Sequence, residues 1–392
     1  MSASIPPDRI VDFDIFGPVQ PGDDCQTFLV RARDSAPDVF YTHRNGGHWV
    51  ATRAREIERI QTDYEVFSHE VMSLPRAAAI PLFPLTLDPP RHAPFRRLIN
   101  PAFTPRATAA LEERARRVTR RLVDRLAPLG KCEFIEDFAR VLPIEVFMSM
   151  VDLPDGDSPE LLKWTETVTR SSDIAARQGA YMSMMGYLGG KIAERAASPG
   201  ADLLSQIVTG KVEGRDLSPE ETMNVCVLLL FGGLDTVASM LGFIARFLAL
   251  NPTHREDLVA DPALIPQAVE ELLRRHGIAN TPRLIRKDVE LDGVKLSAGE
   301  VILAPNALVA LDDRVVTDPM TVDFARKPGT PMGTFGKGPH LCPGATLARR
   351  EIRVFLEEWL ARIPDFRVAE GTAPVMEMGN VSGVTRLELA WQ

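Results

Sequence analysis

The stretch Thr334–Gly344 reads TFGKGPHLCPG and places Cys342 two residues after His340, in a loop rich in glycine and proline. The glycines allow tight turns and a close approach to a flat, bulky group. Pro343 and Gly344 then open a helix, and the positive end of a helix stabilises a thiolate. A single cysteine is more often a buried structural thiol. The alternative is a soft metal ligand, and the rest of the chain decides between the two.

The composition is that of an ordinary globular protein, with 392 residues, 45% hydrophobic and 25% charged. The net charge of −8 gives no support to nucleic-acid binding. The four cysteines form no CxxC pair, so neither a zinc site nor a disulfide framework is indicated, and a reducing cytoplasm fits.

The N-terminus has no basic region followed by an apolar core, so we expect no signal peptide. The longest apolar run, Val225 to Leu234, is about half of what a membrane span needs, and Arg246 interrupts the next one. We therefore expect a cytoplasmic protein without a membrane anchor.

Helical patterns dominate. From Ala110, leucines and valines recur at helical spacing between arginines. Ser218 and Glu221 form a capping-box pattern around Pro219, and an apolar pattern continues from there to Leu250. That stretch predicts one helix of roughly 32 residues and about 48 Å, which would cross a whole domain. A helix of this length favours a single large domain over several small ones.

The C-terminal part mixes helices with short strands. A helix is predicted over about Ile265 to His276, and another from near Pro343 to just before Pro364. Between them, Asp292-Gly293 predicts a hairpin turn, and VILAP from Val301 is a β-type run. The predicted fold class is mainly α with small β-sheets.

Three further segments bear on the cysteine. Glu271 and Arg274 form an ExxR pair, Gly232–Thr236 reads GGLDT, and Asp88–His92 reads DPPRH, with Arg96 one turn further on. Alone, they could be a surface ion pair, a packing kink and a proline turn. Together with Phe335–Gly344, and in the order in which the four segments follow one another along the chain, they resemble the haem-binding, oxygen-activating and core motifs of the cytochrome P450 family.

From about Gly46 onwards the chain is most similar to the camphor-hydroxylase branch of the bacterial class I enzymes, in stretches such as EELLRR, GGLDTV and VSGV. This resemblance implies a single haem-thiolate domain over 1–392, shaped like a triangular prism, with the long central helix over haem b. It also implies a monooxygenase that uses O2.

The resemblance assigns roles residue by residue. Cys342 would be the axial ligand of the iron, which favours O–O cleavage. Asp235 and Thr236 would relay protons, and Gly232 would give the helix room to bulge. Glu271 and Arg274 would be structural. The cofactor-binding positions besides Cys342 are His92, Arg96, Arg283, His340, Phe335 and Thr281; the remaining histidines, His43, His48, His69, His254 and His276, are interpreted as structural.

Four positions depart from the camphor enzyme. Pro343 replaces a leucine and removes an N–H donor near the sulfur, so we expect a slightly lower reduction potential than in Pro343→Leu. Thr281 replaces an aspartate, and Glu65 replaces an arginine on the side where an electron donor would dock. Ile80 aligns with the tyrosine that hydrogen-bonds camphor, and isoleucine cannot donate.

An apolar pocket with few polar groups suits a small terpenoid or norisoprenoid. We therefore predict an ionone-like substrate, with camphor itself as the alternative. The predicted substrate-binding residues are Ile80, Leu85, Leu228, Phe231, Ala279, Asn280, Asn380 and Val381.

The chain has no dinucleotide fingerprint and no flavin or iron–sulfur pattern. The family implies a [2Fe-2S] ferredoxin and a flavin-containing ferredoxin reductase as electron donors to a monomeric enzyme. Three alternatives remain: a peroxide-driven haem-thiolate enzyme, a haem-based ligand sensor without turnover, and a cysteine hydrolase with His340 as the activating base.

Overall fold

A computed structural model describes residues 5–76, 81–170 and 173–392, and it is mainly helical. The described α-helices are α1 Cys25–Ser35, α2 Ala54–Thr62, α3 His92–Ile99, α4 Pro105–Leu126, α5 Val141–Met150, α6 Ser158–Arg170, α7 Ile174–Ala197, α8 Leu203–Val208, α9 Pro219–Leu234, α10 Thr236–Leu250, α11 Pro252–Ala260, α12 Ile265–Arg275, α13 Ala307–Ala310 and α14 Ala345–Arg362.

The strands are short and form small sheets beside the helices. A five-stranded sheet has the order β1-β2-β10-β7-β3, a three-stranded sheet the order β11-β14-β4, and three pairs are β12-β13, β5-β6 and β8-β9. Their bounds are β1 Val39–Thr42, β2 His48–Ala51, β3 Phe67–Ser68, β4 Lys131–Glu133, β5 Lys211–Val212, β6 Arg215–Asp216, β7 Asn280–Ile285, β8 Val289–Leu291, β9 Val294–Leu296, β10 Val301–Pro305, β11 Phe366–Val368, β12 Val375–Glu377, β13 Gly383–Arg386 and β14 Glu388–Trp391.

The sequence predictions for these elements are largely confirmed. The arginine-rich helix is α4, although it begins at Pro105, where the Thr104 side chain accepts a hydrogen bond from the backbone of Ala107. The predicted hairpin is β8-β9, and both of its turn residues have positive φ, 50° at Asp292 and 71° at Gly293. Positive φ at both positions is what a type I′ turn requires.

The long central helix differs from its prediction in one respect. Its capping box is present, with Ser218 and Glu221 each bonding the backbone of the other. However, the helix is not continuous to Leu250, because α9 ends at Leu234 and α10 begins at Thr236. Asp235 lies at this break with φ −104° and ψ −30°.

The combined segment Pro219–Leu250 is long and apolar enough to span a membrane by composition. In this protein, 59% of its most apolar window is buried inside the fold. Its apolar character is therefore explained by its position at the centre of the core. Buried apolar side chains from Phe13 to Trp391 belong to one contiguous cluster around it.

Helices α4 and α14 are joined by a lattice of arginine–glutamate pairs. Glu112 on α4 bonds both Arg350 and Arg353 on α14. In the other direction, Glu358 on α14 accepts from Arg116 at 2.9 Å and from Arg120 at 3.0 Å. Because each carboxylate is shared by several guanidinium groups, the lattice fixes α14 directly behind the loop that carries Cys342.

Candidate active site

The loop that carries Cys342 is held by its own backbone. The amide of Cys342 donates to the carbonyl of Phe335 at 2.9 Å, and the Arg349 guanidinium lies 4.5 Å from the centre of the Phe335 ring. Gly338 has a φ of +72°, and a Cβ there would come within 2.8 Å of the Gln61 carbonyl oxygen. A side chain at this position would therefore be both strained and crowded, which explains the glycine.

The cysteine opens into a large, mainly apolar cavity between this loop and the α9–α10 break. The cavity contains about 1640 Å³ of unfilled space, including its open mouth. Among the described residues, Cys342 is the cysteine that lines it, whereas Cys25, Cys132 and Cys226 are buried elsewhere. Burial raises the pKa of the Cys342 thiol, while backbone N–H groups of Gly344 and Ala345 bond the sulfur and act in the opposite direction.

The ExxR pair is a buried structural unit and not a surface ion pair. Arg274 bonds Glu271 in bidentate fashion, at 2.7 and 2.8 Å. The same guanidinium also donates to the carbonyl oxygens of Ala310, Pro319 and Thr321. Both side chains are almost fully buried, at 4% and 2% exposure. The pair therefore ties α12 to the segment that leads to the cysteine loop.

One end of the cavity carries a cluster of cationic and imidazole side chains, which we call the cationic cluster. The ring of His69 packs against that of His340 with centres 3.8 Å apart and a tilt of 38°, and the ring centre of His92 lies 4.4 Å from that of His340. Arg96 donates to the carbonyl of Leu341 at 2.6 Å. The cluster consists of His69, His92, His340, Arg96 and Arg283, all of which line the cavity.

The cationic cluster has more buried positive charge than its own residues neutralise. Burial lowers the pKa of Arg283 to about 9, and its guanidinium donates to the neighbouring carbonyl of Pro282 at 2.8 Å. Burial also lowers the pKa of His92 to about 4 and that of His340 to about 2. Both ring nitrogens of His340 lack a hydrogen-bond partner. Such a site fits a ligand with carboxylate groups.

The other two predicted cofactor positions also line the cavity. Phe335 lies at the start of the cysteine loop, under Arg349. Thr281 donates weakly, at 3.3 Å to the Asn306 side chain and 3.4 Å to the Ala304 carbonyl. Its hydroxyl is therefore already engaged by the sheet, although it faces the cavity.

The α9–α10 break supplies the polar group above the cysteine. Thr236 lines the cavity, and its Oγ1 donates to the carbonyl of Gly232 at 3.0 Å. No atom lies within 4 Å of where a Cβ of Gly232 would be, whereas a Cβ on Gly233 would meet Phe147 at 2.7 Å. Gly232 thus leaves space in the cavity, and Gly233 allows close packing. Asp235 lies in the break itself and is not among the residues that line the cavity.

The predicted substrate wall is only partly present. Leu85, Leu228 and Ala279 line the cavity, together with Leu229 and Ile278. Phe231, Asn380 and Val381 do not line it, so their predicted contact with substrate is not seen in this structure. Ile80 lies outside the described residues.

Asn280 requires a correction, because it does not reach the cavity either. Its side-chain amide donates to the Gly379 carbonyl at 2.7 Å and to the Ser382 hydroxyl at 3.0 Å. Its role is to hold β7 against the segment that precedes β13, and it is 1% exposed.

Sequence reasoning missed two titratable residues, His69 and Glu351, that line the cavity. His69, interpreted as structural, is part of the cationic cluster. Glu351 on α14 lines the cavity at 2% exposure, and burial raises the pKa of its carboxyl to about 8. His69 lies outside the motifs that point to the haem, whereas the position of Glu351 on the helix that follows Cys342, nine residues on, was a signal that went unused.

Residues 191–389 match the sequence profile of the family described as Cytochrome P450. The chain belongs to the cytochrome P450 family. Among curated proteins, it is 37% identical to a probable cytochrome P450 127A1 from Sinorhizobium fredii, over 99% of this chain and 96% of that protein.

Solved P450 structures agree with this assignment. The crystal structure of CYP101J2 has a TM-score of 0.93 and 38% identity, covering 99% of this chain and 98% of that one. The crystal structure of CYP101C1 has a TM-score of 0.93 and 36% identity, with both chains covered completely. The predicted family, fold class and enzyme class are confirmed.

The P450s bind haem through a cysteine thiolate, which confirms the predicted cofactor. The cavity fits this group: it has a cysteine in its floor and unneutralised cations at one end. When bound, haem supplies the oxygen-activating iron of a monooxygenase. Cys342 would supply the sulfur that holds this group, the cationic cluster would bind its carboxylates, and Thr236 and the apolar side chains of the cavity would face it.

Proposed function

We propose that this P450 hydroxylates a small apolar terpenoid or norisoprenoid of the ionone type, with Cys342 as the axial thiolate. The observation that carries this proposal is the apolar lining of the cavity into which Cys342 opens. Its described side chains are Leu85, Leu228, Leu229, Ile278 and Ala279, and the hydroxyl of Thr236 stands beside them. A compact hydrocarbon with a single polar group suits such a surface.

The polar groups near this wall favour an ionone over camphor as the better substrate. The side-chain amide of Asn280 already donates its hydrogen bonds to Gly379 and Ser382 and does not face the cavity. Isoleucine at position 80 cannot replace the tyrosine that camphor uses. Binding therefore depends on shape and apolar contact, and a longer hydrocarbon buries more surface than camphor does.

The experiment is a titration of the purified protein with β-ionone and, separately, with camphor, following the haem Soret band. Substrate that displaces the water on the iron shifts the band to shorter wavelength. We expect a large shift with β-ionone and a small one with camphor. A full shift with camphor at lower concentration would contradict the substrate assignment and support a camphor hydroxylase.

Two variants locate the binding surface. Leu228→Ala removes a side chain that lines the cavity, and we expect its β-ionone dissociation constant to rise by about tenfold, because roughly 1–2 kcal/mol of apolar contact is lost. Phe231→Leu, one turn along the same helix but outside the lining, is the matched control and should bind β-ionone as the wild type does. Equal effects of both variants would contradict the proposed wall.

Electrons would come from a [2Fe-2S] ferredoxin and its flavin reductase in the cytoplasm. The cysteine loop reaches the surface at Leu341, which is 50% exposed, and Arg96 binds its carbonyl. A donor docked there would lie close to Cys342. With 18O2, NAD(P)H and both proteins, one 18O atom should enter β-ionone. Turnover with hydrogen peroxide alone, at the same rate, would instead support a peroxide-driven enzyme, and haem without turnover a ligand sensor.

A further inference from the structure

The side chain of His69 is placed in the cavity by contacts that do not use its ring nitrogens. Its backbone N–H donates to Asp88 Oδ1 at 3.0 Å, directly after strand β3. Its ring packs against that of His340, with centres 3.8 Å apart, and the residue is only 4% exposed. The main chain and the ring face therefore fix the orientation of an imidazole whose polar atoms remain available.

The ring of His69 has an unmet hydrogen-bonding requirement. Its Nδ1 is buried and has no partner among the described residues. A folded protein seldom leaves a buried polar atom without a hydrogen-bond partner unless the atom has a function. Burial, together with Arg283, His340 and His92, lowers the pKa of His69 well below its usual value. The neutral ring can donate one hydrogen bond and accept another.

The nearby carboxylate does not meet this requirement. Asp88 Oδ2 accepts from the Ser68 hydroxyl at 2.5 Å and pairs with Arg286 at 2.9 Å, and its Oδ1 accepts the His69 backbone N–H. Asp88 Oδ1 lies 3.9 Å from His340 Nε2, beyond hydrogen-bond distance. The cavity is therefore where a partner for the His69 ring can be bound.

His340 links the histidines of the cationic cluster, because its ring centre lies 3.8 Å from that of His69 and 4.4 Å from that of His92. His69 therefore lies against a side chain that the family resemblance already assigns to the haem. Haem carries carboxylate groups, its two propionates, and these accept hydrogen bonds from such donors.

We propose that the His69 imidazole donates a hydrogen bond to a haem propionate beside His340. His69 is then a cofactor-binding residue. This assignment rests on haem binding and not on the substrate, so its failure would leave the proposed substrate class intact.

The test measures haem loss, independently of turnover. Each haem-loaded variant is mixed with excess apomyoglobin, and the rate of haem transfer is followed by absorbance. His69→Phe keeps a stacked ring on His340 but removes the donor, and we expect about tenfold faster transfer, the loss expected for one hydrogen bond to a charged group. His69→Asn places an amide near the position of Nδ1 and should restore a rate near that of the wild type.

The matched control is His276→Phe. His276 is also a buried histidine with unpartnered ring nitrogens, stacked on Phe243, but it does not line the cavity. Its replacement should leave haem transfer unchanged. If His276→Phe and His69→Phe accelerate transfer equally, general loosening of the fold explains both and the proposal is overturned.

A second arm uses haem dimethyl ester, whose propionates are capped and uncharged. When the wild type and His69→Phe are reconstituted with the ester, their transfer rates should be equal. If His69→Phe still accelerates transfer by the same factor, the ring stabilises the pocket by packing and does not bind a propionate. Equal rates for the two proteins with ordinary haem would also overturn the proposal.

Discussion

Thr236 Oγ1 donates its hydrogen bond to the carbonyl oxygen of Gly232, 3.0 Å away, at the point where α9 ends and α10 begins. This carbonyl lies four residues earlier, the usual acceptor position for a hydroxyl on a helix. The bond fixes the threonine side chain at the cavity wall, with its oxygen able to accept from, or pass a proton to, a molecule in the cavity.

The first prediction concerns this hydroxyl. Thr236→Ala should uncouple the enzyme, because proton delivery to oxygen in the cavity loses its last positioned group. NAD(P)H consumption should continue, product per NAD(P)H should fall by at least about tenfold, and hydrogen peroxide should account for the difference. Thr236→Ser keeps the hydroxyl and should remain coupled. Unchanged product per NAD(P)H in Thr236→Ala would rule out this role.

The second prediction concerns the Glu271–Arg274 pair. Arg274→Ala removes the bidentate partner of Glu271 and leaves this buried carboxylate with Arg326, at 3.1 Å, and the Asp323 N–H as its partners. We expect a loss of about 3 kcal/mol of unfolding free energy or failure to accumulate folded protein. Urea unfolding and soluble yield measure this. Double replacement by Glu271→Leu and Arg274→Met should recover part of the loss, since the buried carboxylate is gone and Arg326 still donates to the carbonyls of Thr317 and Thr321.

A control for the second prediction is available on α7. Lys191 and Glu194 have the same spacing of three residues, but they lie on the surface and their atoms are 3.3 Å apart. Lys191→Ala should cost less than about 1 kcal/mol. If Arg274→Ala lowered the unfolding free energy by a similarly small amount, the role of the ExxR pair as a buried structural unit would be contradicted.

The third prediction is a pH dependence of stability caused by Glu351. Burial raises the pKa of its carboxyl to about 8 in the folded protein, from 4.5. Between these values the unfolded chain has released the proton and the folded protein has not. Stability from this group is therefore complete below about pH 4.5 and is lost as the pH rises to about 8, by up to about 1.4 kcal/mol per pH unit.

Glu351→Gln removes this titration while keeping the size of the side chain. Urea unfolding of both proteins at pH 5.5, 6.5 and 7.5 should show a growing advantage of the variant as the pH rises. Histidines that are buried in the neutral form affect both proteins alike, so the difference isolates Glu351. Parallel stability curves would show that the carboxyl titrates normally.

The fourth prediction concerns Pro343. The sulfur of Cys342 receives backbone N–H groups from Gly344 and Ala345, and Pro343 has no N–H to add. Pro343→Leu restores a third donor beside the sulfur, withdraws electron density from it and should raise the haem reduction potential slightly. Redox titration of both proteins checks this, and equal potentials would contradict it.

Local patterns predicted the elements that depend on local physics. The arginine-rich helix, the capping box at Ser218 and the Asp292-Gly293 hairpin follow from periodicity, side-chain caps and permissive φ values. The motifs also placed Cys342, His92, Arg96, Arg283 and His340 around one cavity. The break at Asp235 was not predicted as an interruption, because the apolar pattern continues through it and two glycines alone do not specify where a helix ends.

The remaining differences arise from contacts between distant residues. His69 joins the cavity because Asp88 accepts its backbone N–H. Asn280 leaves it because Gly379 and Ser382 accept and hold its amide. Neither partnership is visible in the residues adjacent to the histidine or the asparagine. Substrate-binding residues predicted by aligning single positions with a related enzyme were therefore placed less accurately than cofactor-binding residues, whose charges have to face the same ligand.

The α4–α14 lattice has a consequence for the order of synthesis. Its two halves are separated by more than two hundred residues, and β4 likewise pairs with β14. On the ribosome, α4 emerges long before the helix that neutralises its arginines, and the nascent chain must keep this basic helix soluble until residues 345–391 have been made. Because the cavity is lined by residues from Gln61 to Ile352, it too is complete only after nearly all of the chain has been made.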